Sequence, residues 1–204
     1  MTATRKHAYH HGDLRTALVR AALQLIEKHG VKGLALSDAA RLSGVSVAAP
    51  YRHFKDKEAL LAGIAAEGFA LFHDALAQAL ESHPKDKGKR LVEMGVAYVD
   101  FAIKHPSHFK VMWESVIPKD KYPEVRQVAN SAYQLLQQAV FELLPESSAA
   151  RRQALIAAAW SIAHGYASLT LGRELEVVTA GKDNRKLLRQ ALHLLIDQFA
   201  AEEE

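Results

Sequence analysis

The chain has 204 residues, 49% of them hydrophobic and 24% charged, which suits a folded globular protein and not a disordered tail. With no cysteine, disulfides, thiolate chemistry and cysteine-based zinc sites are excluded. Residues 1–60 hold ten Lys or Arg against five Asp or Glu, so the net +3 divides into a basic start and a remainder at −2, which suits a polyanion at one end and a different partner at the other.

No uncharged apolar run reaches the eighteen or so residues of a membrane span, and the polar, basic start lacks the apolar core of a signal peptide. A cytoplasmic protein without membrane contact is expected.

Residues 1–12 read as an arm carrying Arg5, Lys6, His7, Tyr9, His10 and His11. Arg5 and Lys6 either follow DNA phosphates or enter a minor groove, as basic arms do, or belong to a solvated terminus. The adjacent histidines have no acidic or sulfur partner placed nearby, so no metal is expected. Asp13 is read as the cap of a helix to about His29, stopped by Gly30, with Leu14, Leu18, Ala21, Ala22, Leu25 and Ile26 on one packing face. Arg15 and Arg20 fall off that face.

The stretch Leu36–Leu61 carries the densest pattern. Ser37 reads as a helix start, both N-cap and phosphate ligand. Ala39, Ala40 and Leu42 follow as apolar positions, Gly44 breaks the run, and Val45 buries the corner. A second short helix is predicted over Ser46–Phe54, locked by Val45 and Phe54. Two short helices around a tight Gly-containing turn make a helix-turn-helix, whose second helix enters the DNA major groove. Val47, Ala48 and Ala49 let the backbone approach bases and offer methyls to thymine. Arg52 reaches a guanine edge or a phosphate, Tyr51 a phosphate, and His53, Lys55 and Lys57 complete the surface. Pro50 is placed in the first turn, where at most one backbone bond is lost. Asp56 is a good N-cap for the next helix. The plainer reading is a helical hairpin with a solvated basic end.

A long helix is expected from Asp56 to about Leu80, with His83–Lys89 as a loop. Further helices are predicted over about Arg90–Lys104, Ser107–Glu114, Glu124–Leu144, Ala149–Leu171 and Asn184–Ala200. Ile117–Pro123 and Gly172–Asp183 are connections. No β-alternating segment of useful length occurs. The fold class is therefore all-α: a three-helix head over residues 1–60 on a larger helical body over 61–204.

In the body, Tyr98, Phe101, Phe109, Met112, Trp113, Tyr133, Trp160 and His164 gather aromatic and Met side chains with one imidazole. Trp160 and His164 share a face one turn apart. They form either an apolar ligand cavity or plain core. Ala154, Ala157, Ala158 and Gly165 make a small-residue strip on the penultimate long helix. That strip packs against a second copy or within one subunit.

The runs Gly44-Val45-Ser46, Tyr51-Arg52-His53-Phe54 and Lys57-Glu58-Ala59-Leu60-Leu61 resemble the N-terminal domain of TetR-type transcriptional regulators, over about Asp13–Leu61. The opening Tyr9-His10-His11-Gly12-Asp13-Leu14-Arg15 and the later Trp160…His164-Gly165 resemble the branch with a WHG body domain. Pro50 stands where many members carry Leu or Val, and it is at home in that branch. The resemblance implies an all-helical homodimer with a DNA-binding head and a ligand-binding body, acting as a repressor released by its ligand.

The expected function is thus a transcriptional regulator binding a two-fold symmetric operator and a small, largely apolar effector, with no cofactor and no enzymatic activity. A ligand-independent architectural DNA binder is the alternative. A small helical enzyme would have to use His164 with Glu174 or Glu176, which lie in a predicted loop without a nucleophile or metal motif.

Overall fold

The computed structural model describes residues 11–118, 120–176 and 184–201, and among them it holds eight α-helices, one 3₁₀ turn and no strand. The helices are α1 (His11–His29), α2 (Leu36–Leu42), α3 (Lys57–Glu81), α4 (Lys87–Lys104), α5 (Pro106–Glu114), α6 (Pro123–Leu143), α7 (Ala149–Leu171) and α8 (Asn184–Ala201), with the 3₁₀ turn (Ala49–Arg52) between α2 and α3. The all-α expectation holds.

Local chemistry sets most boundaries. The Asp56 carboxylate accepts from the Ala59 N–H at 2.8 Å and starts α3, and Asp86 does the same for α4 with Lys89 at 2.9 Å. Each such cap satisfies an N–H that has no partner inside the helix. Asp86 therefore begins α4 three residues before the start expected at Arg90. Ser148 caps α7 through the Arg151 N–H. Pro106 and Pro123 sit in the first turns of α5 and α6, where their missing N–H costs nothing. Gly30 ends α1 with φ +70° while its N–H bonds Ile26 O at 2.9 Å, a left-handed stop that suits glycine.

Two expected starts are corrected. Among the described residues α1 already runs from His11, so Asp13 falls within the helix and not ahead of it. Ala35 occupies the N-cap of α2 with no side-chain bond, which moves Ser37 into the first turn.

Helix α3 is the spine, packing against α4, α5 and α6. Its Leu60, Ile64, Phe69, Phe72, Leu76 and Leu80 are buried at the helical spacing of one face, and the buried side chains form one connected core from Leu18 in α1 to Ile196 in α8. Ion pairs brace the periphery: Arg189 grips Glu93 with both prongs at 2.7 and 2.9 Å, and Arg90 bonds Glu142 at 2.8 Å. Alpha5 is tied to α1 by the Ser107 hydroxyl, which donates to Leu23 O at 3.0 Å.

Contrary to the sequence expectation, α3 and α7 are each long and apolar enough to cross a membrane by length and composition. For α7 the reason is local, because Gln153–Gly172 holds no Asp, Glu, Lys or Arg; α3 still carries Glu67 and Asp74, so it contains no uncharged run of that length. Half of the α3 window lies inside the protein, but only 28% of the α7 window does.

Candidate nucleic-acid interface and internal cavity

The turn between α2 and the 3₁₀ segment is made by Gly44, at φ +71°, with Val45 N–H bonding Ala40 O at 3.1 Å. Ala40 is fully buried beneath it, where a larger side chain would part the two arms. The second arm is not the α-helix expected over Ser46–Phe54. Ala49 N–H bonds Ser46 O and His53 N–H bonds Pro50 O, both at 2.9 Å and both of the i→i−3 type. Pro50 has no N–H to close an α-type bond to Ser46, so the tighter winding takes its place.

That winding divides the side chains cleanly. Pro50 and Phe54 (4% exposed) face the core, and the Arg15 guanidinium lies 5.4 Å from the Phe54 ring centroid. Val47 (48% exposed), Tyr51 (57%), Ala48, Arg52 and Lys55 face outward. Ala49, His53 and Ser37 are half-buried. Lys57 is half-buried too, its ammonium donating to Lys32 O at 3.1 Å. Leu42, read as part of the packed run, is 52% exposed at the end of α2. Arg5 and Lys6 lie outside the described residues.

The body holds a cavity of about 290 Å³ among α3, α4, α5, α6, α7 and α8. Of the eight predicted residues, Tyr98, Trp113, Tyr133 and Trp160 line it. Phe101, Phe109 and Met112 are buried core beside it: Phe101 packs on Phe72 at 5.1 Å, Phe109 stacks on His164 at 5.5 Å, and Met112 lies under Gly68. His164 sits behind the wall, its Nδ1 hydrogen-bonded to Tyr98 Oη at 2.8 Å, and it lines a second, more open groove with Trp113, Ala157, Trp160 and Ser161. Burial raises the Tyr98 pKa and lowers that of His164, so both are neutral at pH 7. Sequence reasoning missed Phe69, Phe72 and Leu76 of α3 and Asn130 of α6 as lining. The α3 residues carry the same period as ordinary core, so no sequence signal separates them.

On α7, Ala154 and Ala157 are exposed, Ala158 and Gly165 half-buried, and a Cβ built on Gly165 would meet nothing within 4 Å. The strip is therefore not packed tightly within this chain. Leu169 (41% exposed), Leu187 (36%) and Leu194 (77%) extend the apolar exposure along α7 and α8.

Comparison with known proteins agrees with this arrangement. Residues 18–64 match the family described as "Bacterial regulatory proteins, tetR family". Residues 91–195, just over half of the chain, match "Tetracyclin repressor-like, C-terminal domain". A Rhodococcus sp. RHA1 protein of unknown function is 30% identical, with 96% of this chain and 100% of that chain covered and a TM-score of 0.79. The transcriptional regulator FadR from Bacillus subtilis, solved in complex with stearoyl-CoA, shares the fold at 12% identity, a TM-score of 0.67 and coverages of 89% and 96%. The uncharacterized HTH-type transcriptional regulator YobS of Bacillus subtilis (strain 168) is 27% identical over 99 residues, and the match spans about half of each chain. The chain belongs to the TetR family of DNA-binding transcriptional regulators.

Proposed function

We propose that the protein is a cytoplasmic, homodimeric repressor that leaves a two-fold symmetric operator when a small, largely apolar effector fills the body cavity. In this reading residues 1–60 form the DNA-binding unit and 61–204 the effector and dimer unit. Val47, Ala48, Ala49, Tyr51 and Arg52 address the bases and nearby backbone, and Ser37, His53, Lys55, Lys57, Arg5 and Lys6 address phosphates. The observation that carries it is the split within one short segment: Pro50 and Phe54 anchor inward while Val47, Tyr51 and Arg52 stand out.

A segment this short reads too few bases for useful specificity, so two copies on one symmetric site are needed. The exposed Ala154, Ala157 and Leu194 on α7 and α8 supply an apolar face for the second copy. Helix α3 links the two ends. It begins three residues after Phe54 and carries Phe69, Phe72 and Leu76 into the cavity wall. An effector with unequal affinity for two settings of α3 would shift the spacing of the heads, and only that inequality can move the equilibrium. FadR, of the same fold, holds stearoyl-CoA, which supports a small-molecule role for such a body.

Sedimentation of purified protein with a selected operator duplex tests the reading. Two chains should bind per duplex and dissociate on addition of the effector. One chain per duplex, or a complex indifferent to every cavity ligand, would refute it.

A further inference from the structure

The cavity wall has a chemistry that discriminates among effectors. Among the described residues it contains no Lys, Arg, His, Asp or Glu side chain. The exposed members of the lining, Asn130, Tyr133 (38%) and Trp160 (36%), are uncharged as well. The Tyr98 hydroxyl is tied to a neutral His164, while Trp113 Nε1 in the same wall is buried without a hydrogen-bond partner. Glu93, next in sequence to the lining residue Met94, is already engaged by both prongs of Arg189. An ion entering here would shed its hydration against walls that offer no countercharge.

Shape points the same way. A cavity of about 290 Å³ is at the small end for ligand sites. Six of its lining side chains are rings, several of them edge-on: Phe72 to Tyr98 at 4.9 Å and 87°, Phe69 to Trp113 at 5.7 Å and 75°. Edge-on pairs offer faces and edges to a further flat ring.

Resting on the proposal that this cavity is the effector site, we infer that the effector is an uncharged compound of one or two fused rings. It carries one hydrogen-bond acceptor for the Trp113 Nε1–H. Carboxylates are excluded.

The test is calorimetric titration of the full chain at pH 7 with 2-naphthol, its charged counterpart 2-naphthoate, and decanoate. The same titrations are run on Ala129→Leu and Leu136→Trp, which fill the cavity from α6, with circular dichroism to verify their folding. Saturable binding of 2-naphthol at least tenfold tighter than either carboxylate, lost in a folded filled variant, is the expected result. The comparison on the unaltered chain stands even if both variants fail to fold. Equal or tighter binding of 2-naphthoate or decanoate, lost in a filled variant, would overturn the inferred class and leave the cavity as the effector site. No saturable binding of any probe, or 2-naphthol binding indifferent to a folded filled variant, would overturn the inference and remove the cavity's claim with it.

Discussion

Glu58, in the first turn of α3, accepts a hydrogen bond from the Tyr122 hydroxyl at 3.0 Å, joining the helix that follows the exposed 3₁₀ segment to the residue that precedes α6. Lys121 donates to the same carboxylate, and its hydrogen bond, then that of Tyr122, holds the Glu58 pKa below the ordinary value. Farther along, α3 and α6 both line the cavity. An effector that spreads them works against this tie. Glu58→Ala should therefore tighten effector binding, and by cutting the link between α3 and the start of α6 it should shrink the effector's influence on operator affinity, normally about 5–150-fold in such couplings. Calorimetry for the first and fluorescence anisotropy for the second check it.

Tyr51→Ala and Arg52→Ala should each weaken operator binding by about 1–3 kcal/mol, and Lys55→Ala should lower the salt slope of binding by about one unit. Anisotropy titrations across a salt series measure both.

Phe54 is 4% exposed, lies beneath Arg15, and would stand 3.2 Å from a Cβ placed on Gly63. Phe54→Ala should destabilise the protein by about 3–5 kcal/mol in urea unfolding. Because Phe54 anchors the segment proposed to meet DNA, operator affinity should fall as well.

Ala157→Glu or Leu194→Glu places a charge on the face proposed for the second copy. Sedimentation equilibrium should then show a monomer, with operator affinity lost and the circular dichroism of a folded chain retained. A dimer in both variants would move the pairing surface elsewhere.

Stability should also depend on pH through His108, which is 6% exposed and has Nε2 3.4 Å from Glu67 Oε1. Burial lowers its pKa and Glu67 partly opposes that; His105 and His164 are lowered by burial too. With folded values below the ordinary 6.5, the unfolded chain binds more protons in this window. Stability is then complete above about pH 6.5 and falls as pH drops from there through the folded values. Melting temperatures should decline from pH 8 to pH 5.5, and His108→Gln should flatten the decline.

How much was legible follows from the kind of signal each residue gives. Helix ends marked by Gly30, Asp56, Pro106 and Pro123 lie where their backbone chemistry demands. Ser37 misled because a serine near a helix start is a cap only if the chain turns there, and it turns one residue before Leu36. Pro50 was read as tolerable in an α-helix, whereas its missing N–H rewinds the segment to 3₁₀. The exposed Trp160 and Tyr133 could be guessed as special from composition. Phe69 and Phe72 could not, because a cavity wall and a packed core share one helical period.

The most direct measurement is selection of bound duplexes from a random pool at low salt, run in parallel with the native chain and Arg52→Ala. The account predicts a two-fold symmetric sequence enriched by the native chain and weakened or degraded at one position per half-site by the variant. No enrichment at all, or an identical sequence recovered with undiminished affinity by Arg52→Ala, would contradict it.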